Sequence, residues 1–239
     1  MDKLNVNTIE PEGGTTTLNV GISGKNVTIT DNLKANTLKD AGGNTIFTSD
    51  GSGNLSSVNS GFGSAQVLLS TQTASDSASL SFTSGIDSTY KEYVFDFINI
   101  NPATDNVEFE FQCSIDGGSN YNVTLTSTFF LASHSEAGSS VLAYDGSYDE
   151  AQGTGYQTLW KELGNASDEC TAGELHLFNP ASTTYVKNFY TQLNGYTYHD
   201  YSQRDFAAGY FNTTTAINAI QFKMSSGNLD GTIKMYGIK

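Results

Sequence analysis

An all-β chain in two unequal parts is what this sequence predicts, and three observations carry the prediction. Composition favours strands and tight turns: 24 glycines and only three prolines stand among abundant Thr, Ser and Asn, and runs of Ala, Leu, Glu and Lys that would seed helices are missing. Period-two alternation of apolar and polar residues recurs along the chain. The aromatic residues are lopsided, since of 13 Tyr, 14 Phe and one Trp only Phe47 precedes residue 61. The seam is the glycine-rich stretch 41–63, which divides an amino-terminal segment, residues 1–60, from a domain able to build its own core, residues 61–239.

The amino-terminal elements are short. Leu4 to Ile9 leads to a turn at Glu10-Pro11-Glu12-Gly13-Gly14; Leu18, Val20 and Ile22 then alternate with small or polar residues, as do Val27 and Ile29 after a turn at Ser23-Gly24-Lys25-Asn26. Ile46-Phe47 lies between Gly42-Gly43 and Asp50-Gly51-Ser52-Gly53 as one more short strand. Each strand offers one to three apolar side chains. That cannot offset a backbone ordering cost of roughly 1–2 kcal/mol per residue. Either the segment is disordered or its apolar residues are buried against copies of itself, and the alternation argues for copies. The expectation is an intertwined β shaft with Val6, Ile9, Leu18, Val20, Val27, Ile29 and Ile46 along its core, in a cyclic homotrimer.

Beyond residue 65 the strands lengthen. Residues 66–70 and 78–82 bracket a polar turn, and the strand after Tyr90 sets Tyr93, Phe95 and Phe97 on one face with Glu92, Val94, Asp96 and Ile98 on the other, until Pro102 ends it. Strict alternation over residues 107–115, then Asp116-Gly117-Gly118-Ser119-Asn120, then residues 121–125 reads as a hairpin, with Glu108 and Glu110 turned to solvent. Residues 133–158 read as loop. Strands follow at 156–163, 173–178 and 185–193, and residues 217–224 and 232–238 read as a closing hairpin. Eight to ten strands so spaced predict a jelly-roll-like β-sandwich.

Net charge is −14, with six acids against four bases in residues 1–60 and the rest of the excess in the larger part. That repels phosphate backbones, so a nucleic-acid partner is not expected. Apolar runs fall far short of the roughly 20 residues that span a bilayer, and no secretory leader is read, so neither membrane insertion nor export is expected. Cys113 and Cys170 lack neighbours at metal-ligand spacing; they read as reduced and structural, with no metal and no cofactor. The acidic loop 145–150 lacks the twelve-residue calcium pattern.

No Gly-x-Ser-x-Gly elbow accompanies the three histidines, and adjacent His199 and Asp200 would point to opposite faces of a strand; the chain does not read as an enzyme. The aromatic cluster at 196–211 has two readings. Its rings fill a core or subunit interface, or an outward set stacks on sugar rings, with Tyr198, His199, Tyr201 and Arg204 as the candidate glycan-binding residues.

The phrasing of residues 5–21, of Asp40-Ala41-Gly42-Gly43-Asn44-Thr45-Ile46 and of Ser49-Asp50-Gly51-Ser52-Gly53-Asn54-Leu55 resembles the amino-terminal part of virion fibre proteins of tailed bacteriophages, marine ones especially. The ending Gly231-Thr232-Ile233-Lys234-Met235-Tyr236-Gly237-Ile238 is similar to that of many phage fibre and appendage domains. The resemblance implies a structural virion protein made in the host cytoplasm and exposed on the particle surface, as a tail fibre or a capsid head-fibre decoration. Its amino-terminal segment would attach to other capsid or tail proteins, and its carboxy-terminal domain would face host-surface polysaccharide. The alternative is a carbohydrate-binding module not tied to a virion.

Overall fold

The computed structural model describes residues 36–40, 42–56, 58 and 65–239. The chain divides into two compact units, Met1–Gly63 and Ser64–Lys239. In the first, β1 (Thr37–Lys39), β2 (Thr45–Ser49) and β3 (Leu55–Ser56) form an antiparallel meander in that order. The same device closes both of its turns. Asp40 accepts from the backbone N–H of Asn44 at 2.8 Å and from its amide at 3.0 Å; Asp50 accepts likewise from Asn54 at 3.1 and 2.8 Å. Of the expected shaft core, Val6, Ile9, Leu18, Val20, Val27 and Ile29 lie outside the described residues, and Ile46 is half-buried in β2.

The second unit is a sandwich of antiparallel strands: β4 (Gln66–Ser77), β5 (Leu80–Phe82), β6 (Glu92–Pro102), β7 (Val107–Ser114), β8 (Leu125–Ser135), β9 (Ser140–Tyr144), β10 (Ala151–Gly153), β11 (Gln157–Leu163), β12 (Thr171–Phe178), β13 (Lys187–Tyr196), β14 (Tyr201–Phe211), β15 (Ala219–Met224) and β16 (Leu229–Ile238). The wide sheet runs β10-β8-β14-β13-β12-β6-β16-β4, with β9 also on β8, and the narrow sheet runs β11-β7-β15-β5. Four hydrogen-bonded pairs explain the pattern: β4 with β16, β5 with β15, β6 with β12 and β7 with β11. The first half of the domain is thus laid against its second half as one long ribbon, and the ribbon wraps so that pairs alternate between sheets. This is the jelly roll, with β4-β16-β6-β12 facing β5-β15-β7-β11. Two insertions, β8–β10 and β13–β14, meet where β14 pairs with β8 and extend the wide sheet beyond β12. The all-β sandwich predicted from the sequence is what the chain forms.

Phenylalanines bridge the sheets. Phe97 meets Phe109 edge-on at 5.2 Å, Phe95 meets Phe222 at 5.4 Å, and Phe111 meets Phe189 at 5.1 Å. Tyr93, Phe95 and Phe97 are buried, as their alternation predicts, but the parity then slips, because Asn99 takes φ +52° and one extra residue bulges out before buried Ile100.

Three expectations are corrected. Residues 107–115 and 121–125 are not arms of a hairpin: β7 belongs to the narrow sheet and β8 to the wide one, and Asp116 to Asn120 carries the chain across, closed by the same Asp–Asn pairing at 2.9 and 2.7 Å. The closing pair β15 and β16 likewise lies in opposite sheets. Alternation marks the face a strand buries, and two strands facing each other across a core satisfy it as well as two lying side by side. Residues 133–158 are not all loop either, for they hold the end of β8 and all of β9 and β10. Serine and glycine hid these strands, since β9 buries none of its side chains.

Candidate functional site

On the outer face of the wide sheet, register lines up side chains from successive strands. One row runs Tyr144, Phe130, Phe206, Gln192, Glu174, Asp96, Lys234, each opposite the next. Beside it, Ala132, Arg204, Asn194 and Ala172 form a second row, and Tyr190, His176 and Val94 a third. β6 and β12 supply carboxylates here because their opposite parity is committed to the core.

A relay of polar contacts crosses these rows. Arg204 donates to Gln192 Oε1 at 2.6 Å, and Gln192 Nε2 donates to Glu174 Oε1 at 2.5 Å. Glu174 Oε2 lies 3.4 Å from His176 Nε2, and His176 Nδ1 lies 2.6 Å from Glu92 Oε1. Flat neighbours fix the members of the relay. The Arg204 guanidinium lies over the Phe206 ring at 5.0 Å, Phe206 stacks on Phe130 at 4.7 Å, and His176 stacks on Tyr190 at 4.4 Å.

The relay borders a depression of about 350 Å³ lined by Asp96, Glu174, Gln192, Asn194 and Arg204, with Gly173 in its wall. Asp96 stands directly opposite Glu174. Partial burial raises the Asp96 pKa, and the Glu174 charge adds to the rise. Among the described residues the Asp96 carboxylate accepts no hydrogen bond.

Two further depressions flank the sandwich. One, of about 290 Å³, lies between Glu108 and Glu110 of β7, Asp149, Glu150, Tyr148 and Tyr156. Burial raises Glu110, which pairs with Lys223 at 3.4 Å; it is therefore less open to solvent than its alternation predicts. The other, of about 280 Å³, lies where the β8–β9 turn meets the β13–β14 turn, and His199, Asp200, Tyr201 and Glu136 line it. Among the described residues no group of three or more His, Cys, Asp or Glu is placed to hold a metal ion.

The four residues proposed from the sequence are split between two of these places. Tyr198 and His199 lie in the β13–β14 turn, their rings 3.6 Å apart, and Tyr201 opens β14 with its ring 6.3 Å from His199. Arg204 lies on the open sheet face and lines the 350 Å³ depression instead. Sequence reasoning missed Asp96, Glu174, Gln192 and Asn194. A signal existed: Asp96 and Glu174 occupy the polar parity of two strands whose other parity is strongly apolar. What no spacing announces is that β6, β12, β13 and β14 are neighbours.

Fold and surface together define a jelly-roll protein with an enlarged sheet carrying an ordered polar and aromatic face. Searches of family models, of curated proteins and of solved structures returned no match to the chain.

Proposed function

We propose that the chain is a structural protein of a tailed-bacteriophage virion, a short trimeric fibre whose first unit joins copies to one another and to the particle and whose jelly roll is displayed toward the host surface. One observation carries this reading. In the first unit, three strands and two matching turns are well formed, yet residues 36–40, 42–55 and 58 are all half-buried or exposed, and Leu55 is 57 % exposed. A three-stranded sheet of this size needs a packed face to hold its shape in water. Leu38, Ile46, Phe47 and Leu55 supply the apolar side chains for such a face, and further copies of the chain supply the cover. Support also comes from the repeated Asp–Asn turn, which recurs after a ten-residue interval at Asp40 and Asp50 and leaves only short strands between and beside its copies.

The test is the solution mass of the full-length protein beside a chain beginning at Ser64. The expected result is a full-length mass near three times 25.6 kDa that falls to the monomer value when the first unit is removed. A monomeric full-length protein overturns the fibre reading and favours a free-standing carbohydrate-binding module.

A further inference from the structure

We infer that the outer-face depression beside Asp96 is a binding site for a neutral polysaccharide, with Asp96 and Arg204 its two principal contacts. The inference deepens the displayed-domain reading and rests on it for the source of the ligand. The site itself is argued from the sheet face.

Open sheet faces are ordinarily covered by mobile, water-solvated side chains, whereas this one is ordered in advance. Arg204 is held by the Phe206 ring and by Gln192, Gln192 by both its neighbours, Glu174 by Gln192, and His176 by Tyr190 and Glu92. Fixing such side chains before a ligand arrives removes their ordering cost from the binding step. The depression they border is of a size that small-molecule sites use, roughly 300–1,000 Å³.

Its chemistry selects the ligand. Asp96 is partly withdrawn from water, lies opposite a second carboxylate and accepts no hydrogen bond from the described residues, so it presents an acceptor that a hydroxyl would satisfy. Arg204 uses one N–H on Gln192 and retains further donors, which suit hydroxyl or ring oxygens. A polyol both donates and accepts within one small site and so meets Asp96 and Arg204 together. An anionic polysaccharide meets the Asp96–Glu174 pair and a protein of net charge −14, and is repelled. Phe130 and Tyr144, 40 % and 59 % exposed at the end of the same row, offer apolar surface to a chain extending across the strands.

The experiment titrates full-length protein by calorimetry with hexasaccharides of glucose (β-1,3 and β-1,4), mannose and galactose, and with an alginate hexasaccharide as the anionic comparison. Saturable binding of at least one neutral probe is expected, weakened about tenfold or more in Asp96→Asn and in Arg204→Ala, because a charge-assisted hydrogen bond is roughly twice as strong as a neutral one. Asp96→Asn also removes the cost of half-burying a charge beside Glu174, which outweighs its attraction to Lys234 and His176, so its unfolding midpoint is expected to rise while affinity falls. A merely structural role would move both the same way. Binding of no neutral probe, binding of alginate alone, or binding that is lost in Tyr198→Ala and intact in Asp96→Asn overturns the assignment. Solution mass measured on the same preparation separates the two readings: a trimer that binds no neutral probe loses only this site, and a monomer that binds loses only the fibre.

Discussion

At the scale of single residues, Asp205 is a side chain that the sandwich buries at a cost. It lies on the inward parity of β14, fully buried, where Oδ2 accepts from the Lys161 backbone N–H at 3.0 Å. Its Oδ1 has no partner among the described residues, and nor do Gln203 Nε2 and Trp160 Nε1. Burial lifts its pKa to about 7. The sign of the pH effect follows. Below the ordinary carboxyl pKa near 3.8, folded and unfolded chains both hold the proton and Asp205 costs nothing. As pH rises the unfolded chain releases its proton first, so stability falls until about pH 7 and stays low above it, a difference of about 4 kcal/mol. Asp205→Asn keeps an acceptor for Lys161 and removes the charge. It is expected to stabilise the protein by about 2–4 kcal/mol at pH 8 and by almost nothing at pH 4, as read from urea unfolding at the two values. An equal effect at both would show that the folded and unfolded chains release the Asp205 proton over the same pH range, and that burial does not raise its pKa. Nothing in the local sequence Gln203-Arg204-Asp205-Phe206 marks Asp205 as the buried one, because its neighbours Arg204 and Phe206 face outward and the apolar residue stands on the wrong parity.

At the scale of elements, the bulge in β6 sets the outer face in register. Here the strand spends one residue more than either neighbour: β12 passes from Gly173 to Thr171 while β6 runs from Phe97 to Ile100, and β16 passes from Ile233 to Asp230 while β6 runs from Phe97 to Asn101, so that β6 absorbs Asn99 at φ +52°. A Cβ on Gly231 would stand 2.7 Å from the Asn99 carbonyl oxygen, so the close approach there needs glycine. Asn99 is exposed, and its substitution tests the backbone alone. Asn99→Val is expected to cost about 1–2 kcal/mol, the penalty of the left-handed region for a branched residue, whereas Asn99→Gly stays within a few tenths. Chemical denaturation of the two variants distinguishes this from a side-chain effect, which would penalise both. Elements were legible where one face is apolar without interruption. Tyr93, Phe95 and Phe97, and Phe109, Phe111 and Cys113, were assigned to the core by alternation and are buried. Partnership was not legible, because the turn chemistry of Asp116 to Asn120 serves a crossing between sheets as well as it serves a hairpin. The candidate site shares that limit: Arg204 was identified, but its partners lie on β13, β12 and β6, and only the ribbon order brings them together.

At the scale of the whole molecule, that ribbon makes the two ends of the domain depend on each other. Gln66 stands opposite Ile238, and β16 lies between β4 and β6, so the last strand of the domain joins the edge strand β4 to the rest of the wide sheet. Most pairings join residues distant in sequence, which predicts folding in the slow range of milliseconds to seconds or beyond. The interior is equally concentrated. Phe222 on β15 has its ring within 5.3–6.3 Å of Phe82, Phe95, Phe97, Phe109 and Phe111. Phe222→Ala should therefore cost about 3–5 kcal/mol, since five rings cannot all close on the void. Ending the chain at Asn228 removes β16 and leaves the edges of β4 and β6 open together, with Ile233 and Met235 lost from the core. The expected result is loss of the cooperative unfolding transition and of near-ultraviolet circular dichroism, where Phe222→Ala keeps both at a lower midpoint. A truncated chain that still unfolds cooperatively would mean that β4 and β6 reseal directly, and that the jelly roll tolerates a three-strand route through its wide sheet.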